Sequence, residues 1–468
     1  MDLFTNIINE ANYVLWTYVL VIMLLGCAIW FSVKTRFVQF RMLGEMIRLL
    51  GDSTAKINGH EKHISSFQAF TISLASRVGT GNLAGVATAL TVGGPGAIFW
   101  MWIAAFLGMA TIFGEAIMAQ KYKHVGKDGH VTGGPVYYIQ AAFKGTFGKI
   151  LAAVFSVLII FALGFMGNAV QSNSIASAFH TAFGIPQIVV GIIIAVIALF
   201  VFVGGISRIA KVTETIVPIM ACFYIIGSLI VIFANFKEIP YAFYSIVVGA
   251  FKPSAVSGGA VGATVKLALT KGVARGLFSN EAGMGSTPHA HAVAKVEHPV
   301  EQGFVAMIGV FIDTFVILNL TALVIITTQS IPTGLTGTAL SQYAFSSVFG
   351  KFGNVFIAIC MFFFAFSTII GWYFFGQANV KYLFGKNSIK QLSELINQIN
   401  GDYSIYYIDS FFKDKDILKI DKKYFYPDVM VDCSDTDQEQ YYTESPTIIV
   451  EVLSKSTRQK DKTFKRDL

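Results

Sequence analysis

Residues 73–90, SLASRVGTGNLAGVATAL, form an apolar run of membrane length that is interrupted at Val78-Gly79-Thr80-Gly81-Asn82. A helix in lipid keeps all its backbone hydrogen bonds, because an unsatisfied polar group there is very costly. Gly79 and Gly81 weaken the helix where that cost is greatest. An unwound turn offers amide N–H groups to a small anion and carbonyl oxygens to a cation, provided it is buried in protein or lines a polar cavity. The competing reading is packing: Gly79, Gly81 and Gly85 also let a neighbouring helix approach closely.

Three ionisable residues sit within or near hydrocarbon: Arg77, Glu115 and Asp313. Such residues are expensive there and are functional candidates by default. Glu115 lies close to Lys121 and can reach water, which favours a structural role. Asp313, in IGVFIDTFVILNLTALVII, reads either as part of a polar cavity or ion path or as a buried partner, for instance of Arg77. Asn168, Gln171 and Ser172 recur at helical i, i+3, i+4 spacing and share one face, as interhelical glue or as a site lining. Ser367 and Thr368 are adjacent hydroxyls of the type a hard cation prefers, although such pairs often bond their own helix. Ser254-Ala255-Val256-Ser257-Gly258-Gly259-Ala260 is a second candidate break, and paired interrupted helices mark transporter sites. His289 and His291, near His298 and Glu281, give a weak metal signal.

These residues need a frame, and composition supplies one. Of 468 residues 54% are hydrophobic and 13% charged, with mean hydropathy +0.61. Soluble domains carry about 25% charged residues. The expectation is an all-α polytopic membrane protein. Its four cysteines form no CxxC, so neither a disulfide frame nor a zinc site is indicated. No phosphate-binding G-x-x-x-x-G-K-[ST] loop is present, which argues against ATP-driven pumping.

Nine apolar runs can cross a bilayer: 13–33, 66–92, 97–120, 150–180, 187–206, 212–234, 243–269, 303–328 and 353–381. The first is no cleaved signal, since it is long and lacks a basic leading segment. The connections alternate in charge. Nineteen basic residues, among them Lys34, Arg36, Lys121, Lys266, Lys271 and Arg275, fall on one side and three, Lys237, Lys252 and Lys351, on the other. The positive-inside rule then places the amino terminus outside and the carboxyl terminus in the cytoplasm.

Composition changes near Gly385-Lys386-Asn387. Residues 387–468 hold 12 Lys/Arg against 15 Asp/Glu, net −3, whereas residues 1–386 carry net +10. The tail reads as a small α/β piece: an amphipathic helix from Ser388 to Ile399, then strands at Ser404–Phe411, Tyr424–Cys433 and Thr447–Leu453.

SLASRVGTGNLAGVATAL, VTGGPVYYI (131–139), GVARGLFSNEAGMGS (272–286), GVFIDTFVILNLTALVI (309–325) and FFAFSTIIGW (363–372) together resemble the alanine or glycine:cation symporters of bacteria. The resemblance covers about residues 1–385. It implies a leucine-transporter-type fold of two inverted five-helix repeats behind one extra helix, each repeat opening on a broken helix. Nine spans are two fewer than that fold calls for, so a second repeat truncated by two helices is expected in a membrane domain over 1–386. The implied activity is sodium-coupled uptake of alanine or glycine by alternating access, with no enzyme chemistry and no cofactor. Expected partners are alanine or glycine, Na⁺ and the bilayer of the bacterial inner membrane, with no nucleic acid. The resemblance places substrate at the two breaks, near Gly79, Thr80, Gly81, Asn82, Gly258 and Gly259, with Gln171. It places one sodium between the carbonyls of Ala75 and Val78 and the hydroxyls of Ser367 and Thr368.

The tail, 387–468, resembles the middle of a restriction-endonuclease-like protein of the PD-(D/E)xK superfamily, through YPDVMV (426–431) and PTIIVEVLSKST (446–457). In such nucleases two carboxylates hold Mg²⁺. Asp428 and Glu451 match, Leu453 stands where the motif wants Lys, and Lys465 is a substitute candidate. A fragment of this size buries little core, and no working nuclease is expected. The alternatives to transport are a membrane-tethered nuclease and an inactive fusion product.

Overall fold

The computed structural model of the protein describes residues 2–52, 64–125, 131–252, 264–385, 429–431 and 448–450. The chain starts as one long rod, α1 (Asp2–Val14) passing through a π-type turn at Leu15–Val19 into α2 (Leu20–Lys34). Short helices α3 (Val38–Arg41) and α4 (Leu43–Asp52) follow.

α5 (Ser66–Arg77) begins with a reciprocal cap. Ser65 Oγ accepts from Gln68 N at 3.0 Å, and Ser65 N donates to Gln68 Oε1 at 3.1 Å, so two otherwise orphaned donors are satisfied. The helix stops at Arg77 because Val78 leaves helical geometry, with ψ 84°. It resumes through a π-type turn at Gly81–Gly85 into α6 (Val86–Gly93). The expected span 66–92 is therefore present as a helix broken near its middle.

α7 (Gly96–Lys121) is one uninterrupted crossing, and a small hairpin pairs β1 (His124–Val125) antiparallel with β2 (Val131–Thr132). After α8 (Pro135–Ala142), α9 (Gly145–Ile159) continues through a π-type turn at Ile160–Gly167 into α10 (Asn168–Phe183). Then come α11 (Gln187–Val203), α12 (Gly205–Ala234) and α13 (Ile239–Phe251). α14 (Val265–Asn280) and α15 (Pro288–Ala292) precede α16 (Pro299–Phe311), which runs through a π-type turn at Ile312–Leu318 into α17 (Asn319–Thr327). α18 (Gly337–Phe349) and the long α19 (Lys351–Phe384) follow. Far downstream, β3 (Val429–Val431) pairs antiparallel with β4 (Ile448–Val450), in register Val429↔Val450. The chain divides into two compact units, Met1–Asn379 and Val380–Leu468.

Among the described residues five helical stretches are long and apolar enough to cross a membrane: Gly96–Lys121, Gly145–Phe183, Gly205–Ala234, Pro299–Thr327 and Lys351–Phe384. α2 and α11 are shorter apolar helices. This is a mostly helical, multi-pass membrane protein.

The run 243–269 needs correction. It is not one helix: α13 ends at Phe251, and α14 starts only at Val265 and runs on to Asn280. α13 instead packs at the start of α7, where Trp100 Nε1 donates to the carbonyl of Ala250 at 3.4 Å. α14 lies along α7 in the same direction, Gly272 against Ala97 and Trp100, Gly276 against Met101, and Ala282 against Gly108. Small residues at the crossing let the two backbones approach, the usual way membrane helices gain contact without a hydrophobic drive. Lys266 reaches the hydroxyls of Tyr13 and Tyr18 at 3.4 and 3.3 Å. Tyr18 is about 24 Å up the rod from Lys34 at 1.5 Å per residue. The charge count grouped Lys266 with Lys34; the fold puts it at the opposite end of that rod.

The Gly272 contact gives a test. Gly272→Val drives a branched side chain into the Ala97 carbonyl and Trp100 Cβ and should cost about 1–3 kcal/mol, as overpacking does. Gly164→Ala, with nothing within 4 Å of the new Cβ, should stay within about 0.5 kcal/mol of the parent. Thermal midpoints in detergent distinguish the two, and equal midpoints would show that the α7–α14 seam yields freely.

Candidate functional site

The first break frees amides and carbonyls that a continuous helix would pair, and other elements take them up. Gly79 N donates to Asn82 Oδ1 at 3.2 Å, and Thr80 N donates to Gln171 Oε1, on α10, at 3.1 Å. On the carbonyl side Thr368 of α19 donates to Ala75 O at 2.9 Å and lies 3.5 Å from Val78 O. A Cβ at Gly79 would strike Thr368 Oγ1 and come within 3.2 Å of Gln171 Oε1, so glycine is required by close approach. The structure thus brings together Ala75, Val78, Gly79, Thr80, Asn82, Gln171 and Thr368.

Ser367 is a different case. Its hydroxyl donates to Phe364 O at 2.9 Å and faces Met220 Sδ at 3.6 Å, away from the break. Adjacent residues on a helix point about 100° apart, so only one of the pair can face Ala75. Of the polar face on α10, Gln171 alone reaches the break. Asn168 bonds Gly164 O and Ser172 bonds Ala169 O, both on their own helix.

A second break lies at residues 281–287, in a segment the sequence reading treated as a connecting loop. α14 ends at Glu281, which is left-handed (φ 56°), and Gly283 and Gly285 are also at positive φ. The candidate break at Gly258 and Gly259 falls outside the described residues. Glu115 turns its two oxygens to the Gly283 and Gly285 amides at 3.0 and 3.1 Å. It does not serve as a surface-seeking side chain. Glu281 is buried and accepts three hydrogen bonds: from Trp372 Nε1 at 2.7 Å, Ser286 Oγ at 2.7 Å and Ser76 Oγ at 3.0 Å. One carboxylate therefore ties together α5, the second break and α19.

Arg77 and Asp313 are both buried but do not pair with each other. Arg77 donates to Ala306 O and Thr287 Oγ1, each at 3.2 Å, and only glycine at 309 leaves room for its guanidinium. Asp313 accepts from Asn82 Nδ2 at 2.8 Å, Ser279 Oγ at 3.2 Å and Thr314 Oγ1 at 3.1 Å. His289 and His291 are also buried, with every ring nitrogen engaged by protein: Ser286 O and Asn379 for the first, Gln302 and Ser73 for the second. Asp428, Glu451 and Lys465 lie outside the described residues.

Ser279, Ser76 and Trp372 were missed from the sequence, and Glu281 stood out there only as a neighbour of the histidines. The available signal was Ser279-Asn280-Glu281-Ala282-Gly283-Met284-Gly285-Ser286, two glycines amid polar residues, the same pattern that marked the first break.

Two interrupted helices whose freed backbone groups converge with polar side chains inside an apolar bundle are the architecture of a secondary transporter, not of an enzyme. The chain belongs to the sodium:alanine symporter family, whose model matches residues 1–399. It is 44% identical over 381 residues to the amino-acid carrier protein AlsT of Bacillus subtilis, covering 81% of this chain and 79% of the relative. It is 43% identical to the probable sodium/glutamine symporter GlnT of the same organism, covering 81% and 77%. It is 40% identical to the sodium/alanine symporter AgcS of Methanococcus maripaludis, covering 83% and 85%. A solved manganese transporter of Eremococcus coleocola aligns with TM-score 0.47 at 13% identity, over 72% of this chain and 70% of that one.

The Glu281 cluster predicts a stability effect. Trp372→Phe keeps the ring but removes the indole donor from a buried carboxylate and should cost about 1–3 kcal/mol. Ser172→Ala, whose hydroxyl serves only its own helix, should be near neutral. Thermal midpoints in detergent decide; a neutral Trp372→Phe would mean that Glu281 does not depend on this bond.

Proposed function

We propose that this chain takes up alanine or glycine together with sodium across the bacterial inner membrane by alternating access. The observation that carries the reading is the first break, where Thr368 spans the Ala75 and Val78 carbonyls beside the Gly79–Gly81 amides. Carbonyl and hydroxyl oxygens suit a hard cation, so sodium binds among Ala75 O, Val78 O and Thr368 Oγ1. The Gly81 amide, at the start of the half-helix that follows the break, favours the substrate carboxylate, while the Gly79 and Thr80 amides are held by Asn82 and Gln171. Gln171 spends its oxygen on Thr80 N, which leaves its amide nitrogen to donate to that carboxylate. Opposite charges at one place make the two binding events mutually favourable. Similarity to the sodium/alanine symporter AgcS and the amino-acid carrier AlsT supports an amino-acid and sodium cargo, and GlnT marks glutamine as the competitor substrate to assay.

The membrane frame follows the inverted-repeat reading: nine crossings, the seventh being α14 with its break and α15, each repeat opening on one of the two breaks. The amino terminus lies outside, since the basic bias persists once Lys266, Lys271 and Arg275 are assigned to a helix. Residues 1–386 form this domain. Residues 387–468 are a separate nuclease-like fragment, a reading to which the antiparallel pairing of β3 and β4 is congenial.

Two substitutions separate the cation from the substrate. Thr368→Val should raise the sodium concentration for half-maximal uptake, while Ser367→Ala, turned toward Met220, should leave it nearly unchanged. Gln171→Leu should weaken alanine binding by about 1–3 kcal/mol, roughly 5- to 150-fold. The assay is labelled alanine uptake into proteoliposomes under an imposed sodium gradient. A sodium titration indifferent to Thr368→Val would move the cation elsewhere, and uptake of glutamine in preference to alanine would reassign the substrate.

A further inference from the structure

We propose that His289 is a positioning residue of the transport cycle: held by Asn379, it docks the second break and α15 onto α19, and it must leave that dock before cargo can pass on the α15 side. The proposal rests on the alternating-access reading above and deepens it.

A circuit of hydrogen bonds starts and ends on α19. Asn379 Nδ2 donates to His289 Nε2 at 2.9 Å, and His289 Nδ1 donates to Ser286 O at 2.7 Å. Ser286 Oγ donates to Glu281 at 2.7 Å, and Glu281 also accepts from Trp372 Nε1 at 2.7 Å. Trp372 and Asn379 are two helical turns apart and share one face of α19. That face therefore grips the chain at both residue 281 and residue 289. The direction of each bond is fixed by groups that can only accept. Ser286 O requires the proton of His289 to sit on Nδ1, and Phe375 O, 2.8 Å from Asn379 Nδ2, requires the amide nitrogen there. The second hydrogen of that nitrogen goes to His289 Nε2, which is left as an acceptor.

His289 also has a fitted seat. It is buried, as is every residue from 285 to 294. Its ring lies nearly parallel to that of Phe155 on α9, at 12° with centroids 6.5 Å apart, and 5.6 Å from that of Phe375 on α19. The VTGGP stretch at 131–135 forms the floor. A Cβ on Gly134 would come within 2.7 Å of His289 Nε2, and one on Gly133 would strike Ala292. Pro135 reaches to 2.9 Å from where a Cβ would stand on Gly285.

The seat and the break belong to different sets of helices. Gly134, Phe155 and Asn379 stand at the start of α8, on α9 and near the end of α19. The second break instead hangs on α7 through Glu115 and on α5 through Ser76, and His291 adds bonds to Ser73 on α5 and Gln302 on α16. Alternating access moves one such set against the other. The His291 bonds can travel with the moving set, whereas separation at α15 has to break the Asn379–His289 bond and lift the ring off Gly134.

The experiment is equilibrium binding of labelled alanine, at saturating sodium, to the full chain in lipid nanodiscs, with hydrogen exchange of residues 286–292 read by mass spectrometry. Undocking lowers the fraction of chains sealed on the α15 side, and apparent affinity falls with the fraction competent to bind. Asn379→Leu and Gly134→Ala should each speed exchange of 286–292 several-fold, leave α18 unchanged and raise the half-saturating alanine several-fold. His289→Phe keeps a ring between Phe155 and Phe375 and should do the same. Adding Asn379→Leu to it should change nothing more, since the bond is already gone. Effects of the two substitutions that add would overturn the pairing. Unchanged exchange, or faster exchange with unchanged alanine binding, would overturn the positioning role and leave the transport reading intact. A parent chain that binds no alanine would overturn both.

Discussion

Everything at the centre of this protein depends on one constraint: a backbone group freed inside a membrane must find its partner in the protein. Breaking a helix there is expensive, and it is done twice. The cost of the first break is met by Gln171 and Asn82 on the amide side and Thr368 on the carbonyl side. The second is met by Glu115 for the Gly283 and Gly285 amides and by Asn280 for the Ala282 amide. In each case the sealing groups come from the side chains of other helices, or from the few residues beside the break. A side chain can swing aside where a helical hydrogen bond cannot, so the same devices that make the breaks stable make them exchangeable for ligand.

The two breaks were unequally legible. Val78-Gly79-Thr80-Gly81-Asn82 stands out because its glycines interrupt an apolar run with apolar residues on both sides. The second break has comparable glycines, but α13 is apolar enough to pass for a crossing, and that displaced the expected seventh span toward the amino terminus. Lys266, Lys271 and Arg275 then looked like a basic loop, although Lys266 meets Tyr13 and Tyr18 at the far end of the first rod. Hydropathy reports how apolar a segment is and says nothing of whether its ends lie on opposite sides of the bilayer.

Side-chain partnerships were harder still. Gln171 was visible as one of three polar residues on a helical face, but which of the three reaches a neighbour is set by packing across the bundle. Ser367 and Thr368 are equivalent by type, and the phase of α19 separates them. Arg77 and Asp313 invited pairing because each is the obvious countercharge for the other. The fold instead gives Arg77 a carbonyl and a hydroxyl and gives Asp313 three hydrogen-bond donors. Glu281 carried no warning in its periodicity; a left-handed glutamate is uncommon, and here its carboxylate is held by three partners.

α19 joins these observations. Thr368 and Trp372 are four residues apart and so share one face of the helix. Thr368 binds the carbonyls of the first break, and Trp372 binds Glu281 at the second. Between them Gly371 lets α19 lie close against Ser76, where a Cβ would come within 3.0 Å of the serine side chain. Ser76 itself donates to Glu281. A shift of α5 along α19 cannot leave the Glu281 cluster as it is, and a shift of α14 cannot leave Ser76 as it is. Ligands that pull on either break therefore act on one shared set of contacts, and the free energy each spends on rearranging them is saved by the other. Reciprocity of that kind is what coupling between a cation and a solute requires, and it needs no contact between the two.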